Sequence, residues 1–130
     1  MHFAYPANLS QATTDEIVVS FRDLPECLTS GTNVQEALSA AADALEEALA
    51  GRVDDGDPIP QPSAAEPGER NVSVPPGMAA KAVLAMAFRE SGLTRVGFAA
   101  ALGVDEKVVR RMLDPRHGTS PDRIYNALRG

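Results

Sequence analysis

The chain has 130 residues, a single cysteine, no tryptophan and a formal net charge of −6. That length holds one domain or two small ones, and a lone Cys27 excludes an intrachain disulfide. The longest apolar run, Ala82 to Phe88, falls far short of a membrane span, and the first residues carry neither a basic stretch nor an apolar run. No signal peptide is therefore expected, and the cytoplasm is the expected compartment. The charge is unevenly divided. Residues 1–70 carry three arginines against thirteen acids, a balance of −10, while residues 71–130 carry nine Lys or Arg against five acids, a balance of +4. Two modules, 1–70 and 71–130, are expected to meet different partners, a cationic surface for the first and phosphate for the second.

In chain order, Phe3, Tyr5 and Leu9 alternate as a half-buried strand does, predicting β structure over residues 2–9 and a polar turn over 11–15. Glu16 to Phe21 is β-branched and apolar and reads as its hairpin partner. Asp23-Leu24-Pro25-Glu26 is a turn, because proline fixes its own φ and restrains the residue before it. Cys27 to Ser30 then reads as a third strand, stopped by Gly31. Asn33 with Glu36 resembles a capping box opening a helix whose apolar stripe is Val34, Leu38, Ala41, Leu45, Ala48 and Leu49. Residues 51–70, with Gly51, Gly56, Gly68 and four prolines, read as a loop or linker, and residues 71–75 alternate again as a last strand. From Met78 to Phe88 every residue but Lys81 is apolar. Such a helix needs cover on more than one side, from a dimer partner or from a central place in the core. Gly92 ends it, and Ser120-Pro121-Asp122 opens a closing helix that turns Ile124, Tyr125 and Leu128 inward.

Residues 94–114 read as a DNA-binding helix-turn-helix. Phe98, Leu102, Val104, Val109 and Met112 share one interior if two helices meet at Gly103, and Ala99 is small where those helices cross. Gly103 is expected in the left-handed conformation, with Asp105 capping the next helix. Lys107, Arg110 and Arg111 then lie opposite Val109 and Met112. The predicted contacts to double-stranded operator DNA are Thr94, Arg95, Lys107, Arg110, Arg111, Arg116 and His117, whereas Arg123 is placed in the closing helix, remote from the groove. A lone recognition helix reads few bases, so a homodimer on two half-sites is expected, with further pairing to a tetramer left open.

The stretch Ile17-Val18-Val19-Ser20-Phe21-Arg22-Asp23-Leu24-Pro25-Glu26-Cys27-Leu28-Thr29-Ser30-Gly31 resembles the strand–turn–strand signature of HicB antitoxins. The resemblance continues through the Glu36-Ala37-Leu38 and Ala44-Leu45 helix, the Asp55-Gly56, Ile59-Pro60 and Pro62-Ser63 loop, Val74-Pro75 and the C-terminal helix pair. Glu26 replaces a usual glycine, Arg22 a usual proline, and Thr13-Thr14-Asp15 a frequent glycine pair. What the resemblance implies is an α+β chain: a partial RNase H-like N-terminal domain of antiparallel strands plus helix, then an all-α helix-turn-helix domain. It further implies an antitoxin that binds a HicA-type, RNA-cleaving toxin and represses its own operon. The −10 balance complements a surface that must grip RNA phosphate, and Asp15, Asp23 and Glu26, around the predicted turns, are the candidate toxin contacts.

Two other classes compete. A metal-dependent nuclease needs carboxylates converging on two cations about 4 Å apart, yet the predicted strands hold almost none. Asp15, Glu16 and Asp23 flank turns, His2 lies at the terminus, and His117 sits in the basic half. No catalytic residue, metal or cofactor is therefore expected. The alternative is a ligand-sensing transcriptional repressor unrelated to a toxin, which the sequence does not exclude.

Overall fold

A computed structural model describes residues 3–129; His2 lies outside them, as does Gly130. The chain is α+β: a four-stranded antiparallel sheet in the order β3-β2-β1-β4, and five helices. Contacts divide it into two units. One holds the residues through Ala48 together with Pro60–Pro75; the other holds Leu49–Ile59 and the residues from Pro76 onward. The first carries two arginines against ten acids, a balance of −8, and the second ten Lys or Arg against eight acids, a balance of +2.

In the first unit β1 (Ala4–Thr13) pairs with β2 (Glu16–Phe21), β2 with β3 (Leu28–Gly31), and β1 also with β4 (Arg70–Ser73). Register places Ala7, Leu9 and Gln11 opposite Phe21, Val19 and Ile17, so one face collects Tyr5, Ala7, Ile17, Val19, Phe21 and Val72, all buried. The segment 11–13, expected as a turn, is strand. The ladder survives an irregularity between Gln11 and Thr13, and the Gln11 amide closes the hairpin by donating to the Thr13 carbonyl at 2.6 Å.

Helix α1 (Val34–Asp55) begins where Gly31 ends the sheet. A Cβ at Gly31 would sit 2.7 Å from Ala37 Cα, so the glycine that ends β3 also permits a close helix–strand approach. The Asn33 side chain caps the helix by accepting from the Glu36 amide at 2.8 Å, but Glu36 reaches past Asn33 to the Thr32 amide at 3.1 Å. The buried row is Ala37, Ala41, Leu45 and Leu49. Val34, expected inside, is 42% exposed: it shares the angular stripe of Ala41 and Leu45 but is the first residue of the helix.

The helix also runs through Gly51, where a linker was expected, and ends at Gly56 with φ +70°. There the Gly56 amide donates to the Val53 carbonyl and the Asp57 amide to the Arg52 carbonyl, the paired bonds of a Schellman cap. Of the two glycines, only the one followed by this cap stops the helix.

The second unit comprises the end of α1, then α2 (Pro76–Ser91), α3 (Arg95–Leu102), α4 (Glu106–Leu113) and α5 (Pro121–Arg129). Pro76 occupies the first helical position, where its missing N–H costs nothing. Ala80 and Leu84 of α2, Phe98 and Ala99 of α3, Val109 and Met112 of α4, and Ile124 of α5 form one buried cluster. Leu102, Val104, Tyr125 and Leu128 pack against it while remaining half-buried. The Phe88 and Phe98 rings meet at 5.1 Å between centroids. Gly103 takes the left-handed conformation expected of it, with φ 73° and ψ 30°.

Candidate functional site

Helices α3 and α4 are set by local chemistry at both ends. The Thr94 hydroxyl accepts from the Gly97 amide at 3.1 Å, and the Asp105 carboxylate from the Lys107 amide at 2.9 Å. Thr94 is thus first of all the cap of α3. The C-terminal end of α4 is held from below: Lys81, only 3% exposed, donates from Nζ to the Met112 carbonyl at 2.9 Å and the Arg111 carbonyl at 3.3 Å. Burial pushes this ammonium below its usual range, and Asp114 acts in the opposite sense. A cation at a helix C-terminus also meets the negative end of the helix dipole.

The basic residues expected to meet DNA occupy three settings. Arg95, Arg110 and Arg116 line one open cleft of about 610 Å³, with Phe88, Leu113 and acids from the end of α1. In it Arg116 pairs with Asp54 at 2.8 Å, while Arg110 reaches one turn back along α4 to Glu106 at 2.7 Å. Lys107 is exposed on the first turn of α4. Arg111 turns to another side, sharing a small cavity with His117 and Arg123. Arg123 lies in the closing helix α5, as expected, and also lines a groove with Val108 and Met112 of α4. The periodicity of α4 alone carries no information about α5, so the sequence could not supply this pairing.

The acidic candidates do not form one patch. Asp15 sits at the β1–β2 hairpin, Asp23 and Glu26 beyond the other end of β2, separated by about 20 Å of strand at roughly 3.4 Å per residue. Asp15 and Glu26 are exposed. Asp23 is half-buried and accepts from both the amide and the hydroxyl of Ser63, each at 2.8 Å, so its carboxylate already orders the chain before β4. Close by, Arg22 donates to Glu69 from Nε at 2.9 Å and from Nη2 at 3.0 Å, and to the Ala64 carbonyl at 2.6 Å. That fork holds the Glu69 carboxyl below the usual carboxylate range. Cys27 is buried, and burial with the nearby Glu26 charge raises its thiol to about 11, which makes it a poor nucleophile. Among the described residues no three His, Cys, Asp or Glu are placed to hold a metal ion.

Residues 4–83 match a family model described as the HicB-like antitoxin of a bacterial toxin–antitoxin system. The chain belongs to the HicB-like antitoxin family. It is similar to antitoxin HicB 1 of Photorhabdus laumondii, 38% identical over 120 residues, covering 92% of this chain and 76% of that protein. It is also similar to antitoxin HicB of Escherichia coli K12, 34% identical over 125 residues, covering 96% and 91%. Antitoxin HicB of Pseudomonas fluorescens matches at 34% over 111 residues, covering 85% and 76%. These HicB relatives extend past the family match at residue 83, so similarity includes part of α3–α5. The chain is accordingly an antitoxin of a toxin–antitoxin system by homology, and no described helix is long and apolar enough to cross a membrane.

Proposed function

We propose that this chain neutralises a HicA-type, mRNA-cleaving toxin by stoichiometric binding and represses its own operon, acting in the cytoplasm without catalysis of its own. The observation that carries the reading is the division of charge in a family member. An acidic module of sheet and helix faces a toxin that has to be basic where it holds RNA, and a basic helical module faces phosphate. In this reading residues 1–70 are the toxin-binding domain, of partial RNase H-like fold, with Asp15, Asp23 and Glu26 as candidate contacts, of which Asp23 also orders the chain before β4. Residues 71–130 are the DNA-binding and dimerisation domain.

Helices α3 and α4 are read as the helix-turn-helix, with α4 in the major groove. What supports this is the Gly103 turn, the Asp105 cap and the outward Lys107 and Arg110. Thr94, Arg95, Arg111, Arg116 and His117 complete the contacts, mostly to phosphate. Two copies then bind half-sites spaced by whole helical turns of about 34 Å. A gel-shift titration of the full chain on the duplex upstream of its own gene tests the repressor half. Retardation with dimer stoichiometry and a steep salt dependence is expected; binding confined to single-stranded RNA contradicts it.

A further inference from the structure

A small open cavity of about 150 Å³ lies between the end of α4 and the start of α5. Its walls are Val108, Arg111 and Met112 of α4, the connection from His117 to Ser120, and Arg123 of α5. No carboxylate lines it. Three arginines of the chain are matched at close range by a carboxylate: Arg22 by Glu69, Arg110 by Glu106, Arg116 by Asp54. Arg111 and Arg123 have no such side-chain partner among the described residues. The Thr119 hydroxyl lies 2.9 Å from His117 Nδ1, and with that hydroxyl as donor the ring keeps a hydrogen on Nε2. Ser120 Oγ accepts from the Arg123 amide at 3.3 Å, so its own O–H remains able to donate. Two arginines, a histidine and a serine thus line one concave place to which no carboxylate contributes. That is the donor set of an oxyanion site, and planar guanidinium suits tetrahedral phosphate oxygens particularly well.

We propose that this cavity holds a phosphate group, gripped by Arg111 and Arg123 with His117 and Ser120 beside them, and that the backbone of duplex DNA supplies it. The choice of DNA as the source rests on the repressor reading above; the phosphate chemistry does not. Arg123 then acts together with α4, and a phosphate clamped at its C-terminal end sets the register in which α4 meets base edges.

The test uses the full chain with two probes. Inorganic phosphate, followed by amide chemical shifts, is expected to perturb residues 117–123 in the wild type and not in Arg123→Ala. On the upstream duplex, Arg123→Ala is expected to lower the magnitude of the salt slope by about 0.9 and leave sequence preference unchanged. Arg123→Lys should keep the slope, as should Arg129→Ala, which lies outside the cavity. If the wild type binds the duplex and Arg123→Ala has the same slope, the site is overturned while DNA binding stands. If the wild type binds no duplex, the repressor reading fails. Phosphate shifts confined to residues 117–123 then assign the cavity to a free phosphate-bearing ligand, and their absence overturns the site altogether.

Discussion

Lys81 sits in a run of alanine, valine, leucine and methionine where a charge is least expected, and its two bonds to α4 carbonyls explain it. Lys81→Met keeps most of the apolar stem but leaves both carbonyls without a donor, a loss of about 1–3 kcal/mol. Its lowered pKa adds a pH signature. Between that lowered value and the unfolded value of 10.5, the unfolded chain binds more protons than the folded one, so this group makes stability rise with pH. Urea unfolding of wild type and Lys81→Met at pH 7 and pH 10 should show a gap that widens at the higher pH. A constant gap would mean the lysine is no more desolvated than a surface one. Arg110 is the residue to change in the DNA-binding reading, since it projects from α4 and holds only the exposed Glu106 pair. Arg110→Ala should cost roughly 1–3 kcal/mol of operator binding and relax specificity at one base position. A uniform loss across sequences would demote it to a phosphate contact.

At the scale of elements, the chain was readable where one residue decides a local conformation. Gly103, Asp105 and the Ser120-Pro121 start act within their own turn, and each does what its chemistry dictates. The strand over Glu16–Phe21 follows from its β-branched alternation. What could not be read depends on partners distant in sequence. Gly51 sits in a helix because Leu49 is buried and the Schellman cap comes later, at Gly56. Likewise Gly31, which ends β3 as expected, also packs against Ala37, a contact only the fold shows. Gly31→Ala should therefore lower stability by about 1–3 kcal/mol, the usual cost of forcing a methyl group into a filled place, because the nearest atoms are α1 backbone rather than flexible side chains. Thermal unfolding checks this, and an unchanged midpoint would show that α1 can lift from β3 freely.

At the scale of the whole molecule, the sequence carried the charge division and the α+β class, but not the assignment of residues. The contact units interleave, and Arg52, Asp54, Asp55 and Asp57 at the end of α1 fall with the basic helices rather than with the acidic sheet. Candidate sites were partly legible for the same reason: outward bases on α4 follow from periodicity, whereas the pairing of Arg116 with Asp54 and the cavity shared by Arg111 and Arg123 need the fold. The most direct measurement titrates the full chain against cleavage of a labelled RNA by the toxin encoded beside its gene, with Mg²⁺ present. Stoichiometric occlusion predicts activity falling linearly to zero near one chain per toxin, and weakening as added salt screens an acidic surface whose field reaches only about 8 Å at physiological ionic strength. Abolition of cleavage by substoichiometric chain, or cleavage of the RNA by the chain alone, would contradict the account.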